Sequence, residues 1–392
     1  MAESIKDKVA IVGMGCTKFG ELWDKSASDL LVDAAYEAYE DAGVEPSDIE
    51  AAWVGTFYRY SGLAGMAAGV PLRLQYKPVT RVENMCCTGS DALRNASYAV
   101  AARVYDVVLA IGVEKMKDQG LSGLGEPLSA GAHVHAYSSA PGIFAMLATR
   151  YFARYGLSPE EGKTMMAKIS VRSHYNGSLN PKAHLRRTMT VEQVLNAPII
   201  AWPLGVFDCC GVSDGAAAAV VVRAEDAKKF RPDPVYIKAL QICVGHGQGN
   251  VRSDWDYTHI EETVRAGIAA YAEAGIKNPR EEISMAEVHD CFSITEALIM
   301  EDLQFSPRGK VKEDIDSGFF ELTGGLPVQP DGGLKSFGHP IGATGLRMQY
   351  EMYKQLQGKA DQRQLKDPRL GLVHNLGGPP TSPAIACVIV GL

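Results

Sequence analysis

Two adjacent cysteines, Cys86 and Cys87, lie in a run of small and polar residues between an apolar segment and a predicted helix. A thiol at a helix N-terminus is close to the positive end of the helix dipole and to free backbone N–H groups, which favour the nucleophilic thiolate. Cys86 comes directly after the predicted strand, whereas Cys87 begins the helix, so Cys86 is favoured as a nucleophile. The alternative is a packing role, because free cysteine is among the most buried residue types.

A second set of ionisable side chains, the run His289-Asp290-Cys291-Phe292, follows a short apolar segment in the second half of the chain. Ligands bind at the carboxyl ends of strands in open α/β sheets. We therefore expect His289 or Cys291 to take part in catalysis. The structural interpretation of the same run is a helix start with Asp290 as the N-cap residue, and both can hold together.

Two glycine-rich segments complete the candidate chemistry. In the run GHPIGATG at residues 338–345, Pro340 suits a first helical turn, and the imidazole of His339 could accept a thiol proton or donate a hydrogen bond. The glycines favour close approach to a ligand, with simple packing as the alternative, and no lysine follows in the P-loop position. In the run His374-Asn375-Leu376-Gly377-Gly378, glycine N–H groups can point at a carbonyl oxygen.

Composition limits the class of protein. Of 392 residues, 46% are hydrophobic and 22% are charged, which is typical of a folded globular chain. The net charge of −7, without a Lys/Arg-rich run, disfavours nucleic-acid binding. No run of about 18 apolar residues and no N-terminal apolar signal segment are found, which predicts a cytoplasmic protein without a membrane span. Eight cysteines without CxxC spacing predict reduced thiols and no metal site in this chain.

The elements that must position these residues follow an α/β plan. Short β-branched runs predict strands, and the spacing of apolar residues predicts helices between them. In the first half the predicted strands are residues 8–14, 51–57, 79–85 and 107–113, and the predicted helices are residues 26–42 and 90–104. This order is typical of a parallel sheet covered by helices.

The second half repeats the order of a strand, a small-residue turn that opens a helix, and an apolar strand. VENMCCTGSDALRNASYAVAA and VVLAIGV correspond in this way to FGHPIGATGLRMQYEMYKQL and LGLVHNLGG, which favours an internal duplication over chance recurrence of βα units. Irregular patterning between the halves predicts an insertion. The predicted domains are residues 1–116 with 204–232 for the first half, 117–203 for an inserted loop domain, and 233–392 for the second half.

Four motifs in this order, NMCCTGS, HDCF, GHPIGATG and HNLGG, resemble the thiolase family over nearly the whole chain. HDCF and HN resemble the sterol-carrier-protein-type thiolases, and the opening IVGMGCTKFGELWDKS is similar to archaeal acetoacetyl-CoA thiolases. The resemblance implies an α/β thiolase fold. In that fold, duplicated βαβαβαββ halves form a five-layer α-β-α-β-α arrangement with an inserted loop domain.

The resemblance also implies roles for the motif residues. Cys86 matches the nucleophile that becomes acylated, and His339 matches the histidine that activates it and helps to form an oxyanion hole. Asn375 stands where many thiolases carry a second cysteine, so Cys291 of HDCF inherits the acid/base role.

His289 replaces the asparagine that usually holds an oxyanion-hole water. The backbone N–H groups of Cys86 and Gly377 would form the second hole, beside His374 and Asn375 in the substrate loop. The pair Pro379-Pro380 departs from the usual continued glycines, so the resemblance does not extend to the shape of the far side of the acyl pocket or to the substrate.

The implied reaction is acyl transfer between CoA thioesters through acyl-Cys86, either thiolytic cleavage or Claisen condensation of a β-ketoacyl-CoA, with coenzyme A as substrate. Two alternatives are a thiolase-fold retro-aldolase acting on a β-hydroxyacyl-CoA and a non-catalytic scaffold subunit. The intact set of Cys86, Cys291 and His339 argues against both. Acetoacetyl-CoA and an aromatic substrate such as benzoylsuccinyl-CoA both remain open, and Tyr58-Arg59-Tyr60 could contact the acyl chain or form a solvated loop.

The resemblance implies a homodimer built through the central sheets. It also implies a small partner subunit with a zinc ribbon and an OB-fold, which supplies much of the CoA-binding surface in the archaeal and aromatic-degrading relatives. The acidic balance of this chain favours a borrowed basic surface for an anionic ligand. The alternative is that basic residues of the insertion suffice, at residues 163–168 and 184–187.

Overall fold

The computed structural model describes residues 4–57, 64–119, 139–245 and 255–392. The strands of these ranges are β1 (Val9–Cys16), β2 (Ala51–Gly55), β3 (Val79–Val82), β4 (Val107–Glu114), β5 (Ile199–Ala201), β6 (Leu204–Gly205), β7 (Gly215–Arg223), β8 (Val235–Val244), β9 (Met285–Glu287), β10 (Leu370–Gly377) and β11 (Ala384–Gly391). The helices of the first half and its insertion are α1 (Ala27–Ala42), α2 (Ala64–Gly69), α3 (Thr88–Ala101), α4 (Ala140–Tyr155), α5 (Pro159–Ser178), α6 (Val191–Leu195) and α7 (Ala227–Phe230). The helices of the second half are α8 (Glu261–Ala274), α9 (Pro279–Glu282), α10 (Ser293–Asp302), α11 (Val311–Asp316), α12 (Gly333–Ser336) and α13 (Thr344–Leu356).

The strands show the same topology twice. The nine-stranded sheet has the order β3-β2-β4-β7-β1-β8-β11-β10-β9, and β1 and β8 join its halves through two residue pairs. In each half the first strand pairs antiparallel with the last one, as β1 with β7 and β8 with β11. Farther toward the two edges of the sheet, β4 pairs in parallel with β2, and β10 pairs in parallel with β9. The predicted duplication is confirmed.

Helices cover and separate the two half-sheets. Helix α1 packs on β1, β4 and β7, helix α8 packs on β8 and β11, and α3 and α13 contact each other between the halves. Successive side chains of β1 point to opposite faces of the sheet. Ala10 and Val12 belong to the apolar cluster under α1, whereas Val9 and Ile11 belong to the apolar cluster on the opposite face. The predicted five-layer thiolase fold is confirmed, and α4, α5 and α6 with the β5-β6 pair form the inserted segment between β4 and β7.

Glycines allow the two central helices to approach at their N-terminal ends. A Cβ atom on Gly89 would lie 2.9 Å from the backbone nitrogen of Leu346, and one on Gly345 would lie 2.4 Å from that of Ser90. Neither helix could therefore carry a side chain at these positions. This contact places the segment before α3, with Cys86, against the segment before α13, with His339.

Two predicted boundaries are wrong near the site. The strand expected at residues 79–85 ends at Val82, because Met85 adopts a left-handed conformation with φ +49° and turns the chain. Cys86 therefore lies in a tight turn. The helix that was expected to begin at residue 90 begins at Thr88, as α3, with Cys87 at its N-cap position. Among the described residues, no helix combines the length and the apolar character that a membrane crossing needs.

Candidate active site

Cys86 and His339 contact each other although they are far apart in sequence. Nε2 of His339 lies 3.1 Å from Sγ of Cys86, and both side chains are buried. Nδ1 of His339 lies 2.8 Å from Oγ1 of Thr344, and that hydroxyl donates its proton to the carbonyl oxygen of Pro340 at 2.9 Å. A hydroxyl has one proton, so Oγ1 must accept from the Nδ1–H of His339. The ring therefore presents the lone pair of Nε2 to the thiol.

Burial keeps this pair neutral at rest. Burial raises the pKa of the Cys86 thiol well above its usual value, nearby Cys87 and Cys210 raise it further, and the backbone N–H of Gly378 opposes the shift. Burial lowers the pKa of His339 to about 3, in the same direction as the charge of Arg347. The structure thus differs from the expected resting thiolate, because burial removes the water that would stabilise the anion. A thiol in this state has to lose its proton before or while it acts as a nucleophile.

A second imidazole, that of His289, lies beside Cys86 and His339. The ring of His289 lies 5.3 Å from that of His339, centroid to centroid, at an interplanar angle of 79°. One ligand atom from each of Cys86, His289 and His339 lies within 4.8 Å of the other two. Nδ1 of His289 is buried without a hydrogen-bond partner among the described residues, and burial lowers the pKa of this ring well below its usual value. A neutral imidazole with an unpaired nitrogen can bind a water or a substrate oxygen.

Cys291 lies beside this group. Its thiol is buried, with Sγ 3.6 Å from Oγ1 of Thr295. Burial raises the pKa of the Cys291 thiol, the hydrogen bond from Thr295 opposes the shift, and the nearby Cys86 raises the pKa further. The carbonyl oxygen of Cys291 accepts a 2.9 Å hydrogen bond from the backbone N–H of Cys210. Cys291 and Cys210 therefore both lie beside the group formed by Cys86, His289 and His339.

Asp290 does not cap the helix that follows it. The N-cap residue of α10 is Phe292, and the Asp290 carboxylate accepts hydrogen bonds from the backbone N–H groups of Leu334 at 2.7 Å and Lys335 at 3.4 Å. The prediction of Asp290 as an N-cap is wrong, because its partners are donors 44 and 45 residues away that local spacing does not reveal. Its carboxylate instead holds the segment that leads to His339.

A buried cation lies beneath both histidines. Nη1 of Arg347 donates to Glu287 at 2.7 Å and also to Asp331, and all three side chains are fully buried. Glu287 lies two residues before His289. Asp331 accepts the backbone N–H of Gly333 at 2.8 Å. Arg347 therefore ties the strand that carries His289 to the segment that carries His339.

The two polar residues of the HNLGG motif face opposite sides of β10, as consecutive strand residues must. Oδ1 of Asn375 accepts from the hydroxyl of Ser90 at 2.6 Å, and its Nδ2 lies 3.0 Å from Sδ of Met348. Nε2 of His374 lies 3.1 Å from Oγ1 of Thr263. Neither side chain hydrogen-bonds to Cys86, His289 or His339 in the described part of the chain.

The glycines of the same motif pack against the turn that carries Cys86. A Cβ atom on Gly377 would lie 2.4 Å from the carbonyl oxygen of Asn84 and 3.2 Å from the backbone nitrogen of Cys86. The N–H of Gly378 lowers the pKa of the Cys86 thiol against the larger effect of burial, and the N–H of Gly377 does the same for Cys87. The second oxyanion hole, with the N–H groups of Cys86 and Gly377, stays a prediction, and Gly378 is an additional donor near the sulfur.

Sequence reasoning missed Thr344, Arg347 and Cys210. Thr344 stands five residues after His339, and this short spacing was the available signal. Cys210 belongs to none of the four motifs, and only its tertiary contact with Cys291 reveals its place. The tripeptide Tyr58-Arg59-Tyr60 lies outside the described residues.

Comparison with known proteins agrees with the fold and the motifs. A family model described as "Thiolase, N-terminal domain" matches residues 9–225, and one described as "Thiolase C-terminal domain-like" matches residues 243–389. The chain is 39% identical over 382 residues to an acetyl-CoA acetyltransferase of Methanothermobacter thermautotrophicus, covering 94% of this chain and 96% of the relative. It is 32% identical over 392 residues to sterol carrier protein 2 of Gallus gallus, covering 96% of this chain and 71% of the relative.

Solved structures show the same architecture. The structure of an "Ltp2-ChsH2(DUF35) aldolase" has a TM-score of 0.84 and 27% identity, covering 99% of this chain and 98% of that chain. Human mitochondrial 3-ketoacyl-CoA thiolase has a TM-score of 0.73 and 19% identity, covering 99% of both chains. The chain belongs to the thiolase family and is an acyltransferase, as the motifs predicted.

Proposed function

We propose that this protein transfers acyl groups between CoA thioesters through an acyl-Cys86 intermediate, by thiolytic cleavage or Claisen condensation of a β-ketoacyl-CoA. The observation that carries the proposal is the 3.1 Å contact between Sγ of Cys86 and Nε2 of His339, with Nδ1–H of the ring held by Thr344. A thiol paired with an oriented neutral base is the arrangement that nucleophilic catalysis requires.

In the thiolytic direction the sulfur of Cys86 attacks the keto carbon of the substrate, and the thiol proton moves to Nε2 of His339. The bond between the keto carbon and the α-carbon then breaks, which leaves the acyl group on Cys86 and an enolate of the shorter CoA thioester. The unpaired nitrogen of His289 supports a role in binding the water or oxygen that stabilises developing negative charge.

The enolate must receive a proton at its α-carbon, and Cys291 is the proposed donor. Burial raises the pKa of this thiol, so it holds a proton at neutral pH, as a general acid must. The Cys291 thiolate so formed takes the proton of an incoming CoA thiol, whose sulfur attacks acyl-Cys86. His339 returns its proton to Cys86, and both thiols are restored.

The test is covalent trapping on the purified chain. Wild type, Cys86→Ser and Cys87→Ser are incubated with acetoacetyl-CoA and digested, and the peptide containing both cysteines is analysed by mass spectrometry. Cys87 is a matched control, because its buried Sγ lies 3.2 Å and 3.0 Å from the carbonyl oxygens of Asn375 and Ala384, and a hydroxyl can likewise donate its one proton to either of them. An acetyl adduct is expected in wild type and Cys87→Ser and not in Cys86→Ser. An adduct that persists in Cys86→Ser contradicts the proposal.

A retro-aldolase is the second candidate, favoured by the likeness to a solved protein that is named as an aldolase. Such an enzyme cleaves a β-hydroxyacyl-CoA to a carbonyl compound and a shorter thioester without free CoA and without an acyl-enzyme. A panel of β-ketoacyl-CoA and β-hydroxyacyl-CoA thioesters, each with and without CoA, separates the two. Cleavage of the β-hydroxy substrates alone, retained in Cys86→Ser, supports the aldolase. A non-catalytic scaffold subunit would cleave none of them.

The proposed assembly is a homodimer that also binds a small zinc-ribbon/OB-fold subunit. The zinc ion of the ribbon belongs to that partner subunit. The position of β3 at one edge of the sheet supports pairing with a second copy. The name of the solved aldolase joins Ltp2 to ChsH2(DUF35), and this pairing supports a partner subunit. The proposed location is the cytoplasm. The proposed domain limits are residues 116, 203 and 232. Full activity and tight CoA binding by the chain alone would argue against the partner.

A further inference from the structure

We infer that Cys86, His289 and His339 form a binding site for a soft divalent cation, with Zn²⁺ as the ion it fits, and that occupancy switches the enzyme off. The inhibitory consequence rests on the proposed function, because the ion would occupy the nucleophile and its base. The binding itself does not depend on that function. It differs from the sequence-based expectation of a chain without a metal site.

The geometry is the first argument. One ligand atom from each of the three buried side chains lies within 4.8 Å of the other two, and the sulfur and Nε2 of His339 are 3.1 Å apart. In a tetrahedral zinc site with Zn–S of about 2.3 Å and Zn–N of about 2.0 Å, neighbouring ligand atoms are separated by roughly 3.3–3.6 Å. Side-chain movements of up to roughly 1.5 Å therefore bring all three ligands to bonding distance and leave the fourth position open.

The state of the ligands is the second argument. The Nδ1–H of His339 is held by Oγ1 of Thr344, so Nε2 carries a lone pair, and a hydrogen bond on the far nitrogen is the usual support of a metal-bound histidine. Nδ1 of His289 is buried without a partner in the described ranges. One thiolate and two imidazoles form a ligand set that suits zinc and does not suit magnesium or calcium. On binding, Cys86 forms a sulfur–zinc bond and releases its thiol proton to solvent.

Calorimetric titration of Zn²⁺ into the full chain, after treatment with a chelator, tests the site without any turnover. Wild type should bind one Zn²⁺ in this site. Cys86→Ser and His289→Gln should each weaken that binding at least about tenfold, and Thr344→Val about 10–100-fold through loss of the supporting hydrogen bond. Cys243→Ser is the matched control, because that thiol lies elsewhere and donates to the carbonyl oxygen of Glu262. It should bind as wild type does.

Co²⁺ gives a second measurement that reports the ligand directly. Wild type with Co²⁺ should show a thiolate-to-cobalt charge-transfer band that Cys86→Ser lacks and Cys243→Ser keeps. Acetylation of Cys86 should remove the band as well. The inference is overturned if wild type binds neither ion, or if Cys86→Ser and His289→Gln bind as tightly as wild type.

The outcomes separate this inference from the proposed function. Zinc binding that is lost in Cys86→Ser, in a protein that forms no acyl adduct with any CoA thioester, supports the metal site and contradicts the acyl-transfer mechanism. An acyl adduct on Cys86 that forms equally well with saturating Zn²⁺ supports the mechanism and overturns the switch.

Discussion

Glu114, at the end of β4 in the first half, accepts a 2.7 Å hydrogen bond from the backbone N–H of Gly342 in the second half. The same fully buried carboxylate accepts from the hydroxyl of Thr56 at 3.0 Å and from the backbone N–H of Phe57 at 3.1 Å. A Cβ atom on Gly342 would lie 2.6 Å from the carbonyl oxygen of Gly55, so backbones from the two halves meet here. The loop that carries His339 is therefore fastened to the half that carries Cys86.

Replacement of Glu114 by alanine removes the acceptor that these three donors share. Loss of a buried hydrogen-bond partner costs about 1–3 kcal/mol for each group. We expect Glu114→Ala to lower the free energy of unfolding by at least about 3 kcal/mol and to reduce kcat. Glu114→Gln keeps one acceptor oxygen and should lose less. Urea unfolding of both variants measures this, and equal stability of Glu114→Ala and wild type would contradict the role of the carboxylate.

Thr344 orients the proposed base. In Thr344→Val the Nδ1–H of His339 loses its acceptor, so the ring is free to move its proton to Nε2, where it can no longer accept from Cys86. General-base catalysis contributes about 10²–10⁴-fold, and we expect kcat to fall on the order of 10²-fold. KM should change little, because Thr344 is fully buried behind the histidine.

Thr344→Ser provides the control for this prediction, because it keeps the hydroxyl and loses only a methyl group. Steady-state kinetics should show that it retains most of the wild-type kcat. If valine and serine at this position reduced kcat equally, packing of the methyl group rather than the hydrogen bond would explain the effect.

The motifs predicted the proposed catalytic set because they record local structure. Small residues at two strand-to-helix turns predicted that Cys86 and His339 open equivalent helices, and the duplicated topology brings those helices together. The repeated order of strands was visible for the same reason, since apolar periodicity and turn residues act over a few positions.

Contacts between distant residues could not be predicted in this way. Arg347 pairs with Glu287 across 60 positions, and Asp290 binds backbone donors 44 and 45 positions away rather than the helix beside it. The position of the proton on the His339 ring depends on the hydroxyl of Thr344, which already donates its own proton to the carbonyl oxygen of Pro340. These features depend on tertiary placement, which a single sequence does not encode as a local pattern.

Buried neutral histidines should make the fold sensitive to acid. Burial lowers the pKa of His374 from 6.5 to about 3, so the unfolded chain binds a proton at this residue below pH 6.5 that the folded chain does not bind until about pH 3. The unfolded state is therefore favoured as pH falls through this window, by about 1.4 kcal/mol per pH unit for one histidine. His289 and His339 act in the same direction.

His374→Gln isolates one of these protons, because an amide can approach Thr263 and does not titrate. Unfolding free energies of wild type and variant, each referred to its own value at pH 8, should diverge as pH falls from about 6.5 to 4, with the variant losing less stability. Parallel curves over this range would show that His374 does not carry the predicted shift.

Lys335 is a buried cation close to the proposed acid/base thiol. Its ammonium group donates to the carbonyl oxygens of Asp290 at 3.1 Å and Asp208 at 3.2 Å, directly before Cys291 and before the pair Cys209-Cys210. Burial raises the pKa of the Cys291 thiol, and the charge of Lys335 opposes that shift. Lys335→Met keeps the length of the side chain and removes the charge, so it should raise the pKa of Cys291 further. Lys335→Arg keeps the charge.

The exchange of acetyl-CoA methyl protons with deuterated water needs Cys291 as the thiolate base, so its pH profile should move to higher pH in Lys335→Met and stay near that of wild type in Lys335→Arg. Acylation of Cys86 does not use this base, so the yield of acyl adduct measured by mass spectrometry should be similar in all three proteins. An unshifted exchange profile in Lys335→Met with a normal adduct would exclude the electrostatic role of Lys335. Equal loss of exchange and adduct would indicate that Lys335 only maintains the packing of the two segments that it joins.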